Sequence, residues 1–576
     1  MRVEVEDFRG FVEGALEVRA DGVVLVVGGN GTGKGALVSA LDVVAGRRAE
    51  GRTGHLGSGS GLVRGRFGLV VRTAWEISVD PVGAWAEWTF AEGSRDGMRA
   101  QAVAVGHGDG RGDVVGRLVE TDGAWHVELA DGEPGVLERV CGGEGTAPPG
   151  ALEKAVAESR LHGVAEPLRR FREGYAHFRF GAGTAAGELP VRDVGGRLAE
   201  DGGNLGTVLL GLSTGEPRLW AELRRRAAEI LPETGSPVTP VTGETFTVAF
   251  SQDGLLDEGW DGADVRIGLD EAGRGAERVL ALLACLLTRP ERVVVLEEPE
   301  EGLHPAAQRA VLELLREHGR ERTFVVTTHA PVLIDRALTG QGSRVLSVRR
   351  RQGISTVAEL DASTADAVRR TGLRLSDVAG CGRIIVLESA EDERILSAWI
   401  PEVLHDPDVG VVLEPDAPGL LEAWLDAGGL LASWTLLYAG AADGLTPALR
   451  AKAAASGVHL LGARSLDNLL LDFGALAGLL DAAFPGPPIV TPPDRLEAEA
   501  RAFADEWRAT GGAAHVPDEE WAERWTELIP GTDLLGELWR RFLGRPYSRR
   551  EDGCELARTM RPPQALMRDI AAFLEA

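Results

Sequence analysis

From Gly22 to Val27 the chain is apolar, Gly28-Gly29-Asn30-Gly31-Thr32-Gly33-Lys34 follows, and Ala36, Leu37, Ala40, Leu41 and Val44 then recur at helical spacing. A strand, a glycine-rich turn and a helix in that order make a phosphate cradle. Glycines let backbone N–H groups converge on phosphate oxygens, the helix N-terminus adds the positive end of its dipole, and Lys34 supplies a point charge. Gly28, Asn30, Gly31, Thr32, Gly33, Lys34 and Gly35 are the candidate phosphate-binding residues. After G-x-x-x-x-G-K the pattern calls for Ser or Thr, whose hydroxyl holds Mg2+, but Gly35 stands there and Ala36 follows. Phosphate binding survives that loss while metal placement weakens, so binding without efficient hydrolysis is expected.

A second set of chemistry-bearing residues lies far downstream. Arg292 to Leu296 reads as a buried strand that runs into Glu297-Glu298-Pro299 and then Glu300-Glu301-Gly302-Leu303-His304-Pro305, ahead of an amphipathic helix. Two carboxylates at the end of a buried strand are costly unless a cation or a proton uses them. Glu297 is placed to reach Mg2+, directly or through water, and Glu298 to orient an attacking water. Phe324 to Thr328 reads as another buried strand, and it ends in His329, placed to contact a γ-phosphate. Taken alone, such a histidine is more often structural.

Together these motifs resemble the ABC-type heads of the SMC, RecF and OLD (overcoming lysogenization defect) ATPases, and most closely the AAA-type ATPases related to OLD. Glu297 to Pro305 matches the EEPE-x-GLHP hallmark of that group, and Thr327 to Pro331 matches its closing TTH-[SA]-P. Phe8-Arg9-Gly10-Phe11, Asp201 to Leu205 and Trp220 to Pro232 extend the likeness. The resemblance implies ATP and Mg2+ as cofactors and two heads sandwiching ATP, hence a homodimer or higher oligomer. It also implies a signature loop completing the partner's site, here Ala272 to Arg278, with Gly275 as an N–H donor. Gly273 stands where such loops usually carry Ser, so a second hydroxyl is missing.

In the C-terminal third, Arg383 to Leu387 reads as a strand ending in Glu388, followed by Ser389-Ala390-Glu391-Asp392 and a helix. This resembles the V-E-G-x-x-D opening of a TOPRIM domain, with Ser389 in place of the Gly. The resemblance makes Glu388 and Asp392 metal ligands for phosphodiester cleavage. Such a nuclease also needs a D-x-D pair after a later strand, because clustered carboxylates hold the metal at the scissile phosphate. After the candidate strand Trp434 to Tyr438 only Asp443 remains. Leu466-Asp467-Asn468-Leu469-Leu470 resembles the E-N-Y-L element of a TOPRIM-like subgroup found with defence ATPases.

The elements positioning these residues read as an α/β protein. An ABC-type P-loop head occupies residues 1–350, with a β-rich lobe and a helical insertion within about 50–250, since 60–140 alternate apolar and polar residues and 150–232 follow a helical period. A TOPRIM-like α/β domain is expected over 376–480 and a helical region over 481–576. The net charge of −27 sets the whole against nucleic acid and anionic membrane unless local arginine clusters intervene. Those clusters, among them Arg349 to Arg351 and Arg540 to Arg550, read as solvated faces. Four separated cysteines form no CxxC pair, no signal peptide or membrane span is evident, and a cytoplasmic setting fits. Lysine is confined to positions 34, 154 and 452 and asparagine to 30, 204 and 468, so Lys34 and Asn30 stand out against a strong compositional bias.

Three functions follow. The first is an OLD-like ATPase of DNA metabolism or phage defence, working through ATP-driven head dimerisation with weak hydrolysis. The second is a non-catalytic ATP-binding sensor or scaffold that recruits an effector, and the third a metal-dependent nuclease. DNA or an effector protein is the possible further partner.

Overall fold

The structure is a computed structural model. It describes residues 2–8, 10–17, 22–45, 173–180, 187–191, 194–251, 266–339, 342–440, 445–483, 492–512 and 516–576, together with the strands between 60 and 142. The chain divides into two units, 1–361 and 362–576.

In the first unit, 14 of the described strands share one mixed sheet. Its parallel part runs in the order Ser343–Arg351, Gly22–Val27, Thr323–Thr328, Val293–Glu297, Tyr175–Phe178. Val23 to Val27, Val294 to Leu296 and Phe324 to Val326 are all buried, as strands covered on both faces must be. Lys34–Val44 and Pro305–His318 are among the helices that follow these strands. Pro305 takes the first helical position, where its missing N–H costs nothing, and His304 caps the helix by accepting from the Ala306 N–H. Ser60–Phe67, Ala84–Gly93, Gly97–His107, Val114–Thr121, Ala124–Leu129 and Arg139–Gly142 extend the sheet as an antiparallel run beyond Arg2–Phe8.

The stretch expected to be helical over 150–232 differs in one place that matters. Leu205–Gly215 and Pro217–Ile230 are helices packed with Arg274–Thr288, but Tyr175–Phe178 is a strand on the parallel edge of the sheet. Four residues are too few for a period to show, and pairing with Val293–Leu296 decides their conformation.

The second unit centres on a parallel sheet in the order Val409–Leu413, Arg383–Leu387, Thr435–Tyr438, His459–Leu460. One apolar core runs from Ile385 and Leu387 through Trp521, Trp525 and Trp539 to Phe573. Scarce Asn468 is buried there, donating to the carbonyls of Thr526 and Ile529 at 2.7 and 2.6 Å. Among the described residues no helix is long and apolar enough to cross a membrane.

Candidate functional site

Three strand ends of the first unit meet at one edge of the parallel sheet. Pairing sets Val26 level with Thr327, and Thr327 level with Glu297, so the phosphate loop, His329 and the acidic pair leave the sheet from the same side. The carboxyl edge of a parallel sheet is where crossover connections leave room for a ligand.

The loop is held by its own backbone. Gly33 has φ 113°, and a Cβ there would lie 2.8 Å from Ser355 Oγ, so only glycine fits. The Thr32 hydroxyl donates to the Gly29 carbonyl at 2.9 Å. Lys34 Nζ donates to the carbonyls of Gly28 and Gly29 at 2.7 and 3.0 Å, and burial lowers its pKa against the opposing pull of Glu298 and Glu300. Arg350 donates to the Gly31 carbonyl at 3.0 Å, so one arginine read as solvated steadies the loop. Asn30 is exposed at the loop tip. Gly35 is exposed as well, and a Cβ there would meet nothing within 4 Å.

The acidic residues do three different things. Both oxygens of Glu297 are engaged, by Arg179 through Nε and Nη2 at 2.6 and 2.7 Å and by His177 Nε2 at 2.9 Å. The other ring nitrogen of His177 meets Asp42 at 3.0 Å, and Tyr175 donates to Asp42 at 2.8 Å. Burial opposes charge on His177, but the bonds to Asp42 and Glu297 outweigh it and raise its pKa to about 9. Burial likewise opposes charge on Glu297, and His177 and Arg179 outweigh it, bringing that carboxyl to about 2.

Glu298 follows at φ 46°, a left-handed conformation that a non-glycine residue adopts at a cost of order 1–3 kcal/mol. Its carboxylate reaches His329 Nδ1 at 3.1 Å, and Arg278 donates to its carbonyl at 3.2 Å. Glu300 is only 3% exposed. It accepts from the Thr328 hydroxyl through Oε1, its buried Oε2 has no hydrogen-bond partner, and burial raises its pKa.

A cavity of about 300 Å³ opens between these groups, lined by Lys34, Gly35, Arg179, Arg278, Glu297 and Glu298 among others. Lys34 and the glycine-rich loop suit a polyphosphate. The donors suit Mg2+ poorly, because Gly35 offers no side-chain oxygen and Glu297, expected as the metal ligand, is committed to two cationic partners. Gly275, expected as an N–H donor to a partner's nucleotide, packs on its own chain. A Cβ there would lie 2.7 Å from the Gly302 carbonyl.

In the second unit Glu388 follows the strand Arg383–Leu387, close to Gly440, where a Cβ would approach its Oε1 to 2.7 Å. Asp392, expected as a metal ligand, is committed elsewhere. Its Oδ2 accepts from the backbone and hydroxyl of Ser389 at 2.9 Å each, closing a capping box, and its Oδ1 takes Arg549 at 2.6 Å. Arg549 also donates to Asp467 at 3.0 Å, so this arginine from a cluster read as solvated holds two buried acids. Asp443 lies outside the described residues.

Residues 233–335 match the family model described as "AAA domain, putative AbiEii toxin, Type IV TA system". That stretch of the first unit is thus similar to an AAA domain. The match takes in the acidic strand end and His329, and the phosphate loop pairs beside it in the same sheet. Among solved structures, an SMC head bound to the C-terminal winged-helix domain of ScpA is 12% identical, covering 62% of this chain and 97% of that one at a TM-score of 0.37. The SMC head domain from Thermotoga maritima is 11% identical, covering 62% and 98% at a TM-score of 0.29. No curated protein sequence matches this chain.

Sequence reasoning named the phosphate loop, Glu297, Glu298 and His329, but it missed His177, Arg179 and Asp42, and it gave Arg278 and Glu300 no role of their own within the motifs that contain them. The first two sit in the stretch read as helical. The only local sign is a short alternation of His177 and Arg179 with Ala176, Phe178 and Phe180, too brief to set a period against the helical stretch around it.

Proposed function

We propose that the chain is an OLD-like ATP-binding protein whose heads close on ATP as a homodimer or higher oligomer and turn it over slowly. The observation carrying this reading is the meeting of Lys34, Glu298 and His329 at one sheet edge, with the His329 ring 3.1 Å from the Glu298 carboxylate. Glu298, paired with a polar ring and partly exposed, orients an attacking water. His329 meets the terminal phosphate.

The missing hydroxyls at Gly35 and Gly273 support slow turnover, and they favour a second reading, an ATP-binding sensor or scaffold that recruits an effector protein. The Arg549 clasp on Asp392 supports a TOPRIM-like domain over 376–480 that does not cut DNA. That domain and the helices of 481–576 work as one body, because one apolar core joins them. The similarity of residues 233–335 to an AAA domain described as a putative AbiEii toxin of a Type IV TA system supports a setting of that kind over general DNA metabolism. The test is a calorimetric titration of the full chain with ATP. Lys34→Ala should lose most of the affinity, and unchanged affinity would sink the assignment.

A further inference from the structure

We propose that Arg179 does in this nucleotide site what a divalent cation does elsewhere, so that the chain binds ATP without Mg2+. The inference rests on the ATP-binding reading above and goes beyond it in naming the ionic form of the ligand, free nucleoside triphosphate.

Two places where a metal would find oxygen are closed in the described site. Gly35 stands at the position of the hydroxyl, and the space around it is open. Glu297 is closed by occupancy, with a bidentate guanidinium on one side and His177 on the other. Paired charged hydrogen bonds of this kind are among the strongest a carboxylate makes, and a metal would have to displace them. The clasp is also braced, because Asp42, on the helix that follows the phosphate loop, holds His177 from behind while Tyr175 holds Asp42. Loop and clasp are therefore positioned by the same helix.

Arg179 is not sealed in by these bonds. Its side chain is 65% exposed and lines the cavity shared with Lys34. A guanidinium stays charged at any working pH, is weakly hydrated, and matches phosphate oxygens in a planar fork. Exposed and lining the cavity while it holds Glu297, it brings positive charge to the strand end where a metal ligand was expected. Lys34 and Arg179 then flank the polyphosphate from the loop side and the strand side.

The experiment titrates the full chain with ATP by calorimetry, in EDTA and again in excess Mg2+. The wild type should show dissociation constants within about threefold of each other, and Arg179→Ala should weaken binding in EDTA at least tenfold. Removing Arg179 also frees Oε2 of Glu297, while His177 keeps its hold on Oε1. Mg2+ should therefore recover at least part of the affinity of Arg179→Ala, a response that loss of folding would not produce, and Arg179→Lys should fall between the two. Wild-type binding that drops tenfold or more in EDTA would overturn the inference and leave ATP binding intact, as would Arg179→Ala binding normally in EDTA. No binding under either condition would sink the ATP-binding reading itself, and this inference with it.

Discussion

Each unit has an acid that follows an apolar parallel strand, resembles a metal ligand in sequence, and is clasped by an arginine. In the first unit Arg179 holds Glu297, and in the second Arg549 holds Asp392. The clasps differ in what else the arginine does. Arg179 is largely exposed on a cavity wall, and its acid is shared with His177. Arg549 is 26% exposed and bridges Asp392 and Asp467, themselves 4% and 3% exposed, while Thr532 donates to Asp467 at 2.5 Å and Ser389 to Asp392. An arginine that is largely exposed on a cavity wall can serve a ligand. One buried between two acids serves the fold.

The largest effect should come from the second clasp. Arg549→Ala would leave two buried carboxylates without their cation, and breaking such a group typically costs about 3–5 kcal/mol. Urea unfolding followed by tryptophan fluorescence should show the transition that involves Trp521, Trp525 and Trp539 moved to markedly lower denaturant. An unmoved transition would mean that Arg549 is no structural clasp, and the contrast between the units would collapse.

The first clasp should show itself through pH. His177 is raised from 6.5 to about 9 in the folded chain, so its contribution is complete below pH 6.5 and is lost as pH rises through 9. A shift of that size corresponds to roughly 3 kcal/mol. His177→Gln should therefore lower the melting temperature most near pH 6 and progressively less towards pH 9.5. A pH-independent difference would show that His177 is not held as a cation between Asp42 and Glu297.

The two clasps also mark where sequence stopped being legible. Parallel strands announced themselves as unbroken apolar runs, and the phosphate loop as glycines before a scarce lysine, because each is a local pattern with a local cause. Clasps are not local: Arg179 lies 118 positions from Glu297, and Arg549 lies 157 from Asp392. In a chain whose cations are nearly all arginine, no single arginine draws attention, and clusters such as Arg349 to Arg351 read as solvated faces. Glu300 was hidden for the opposite reason. Among Glu297, Glu298 and Glu301 nothing in the sequence sets it apart, whereas the fold buries it against Thr328.

The smallest change in stability should come with the sharpest change in ion dependence. Gly35 sits in the first turn of the helix Lys34–Val44, with open space where a side chain would go, so Gly35→Ser should alter stability by no more than about 0.5 kcal/mol. The new hydroxyl restores the oxygen that the loop pattern lacks. By itself it should raise ATP turnover modestly in Mg2+, because Glu297 is still clasped, and combined with Arg179→Ala it should make turnover strictly Mg2+-dependent. Glu298→Gln in either background should remove the gain, since a water positioned by a carboxylate loses its proton acceptor. If Gly35→Ser alone gave full Mg2+-dependent turnover, the clasp on Glu297 would be shown to yield easily to a metal. The two arginines would then differ less in role than in burial.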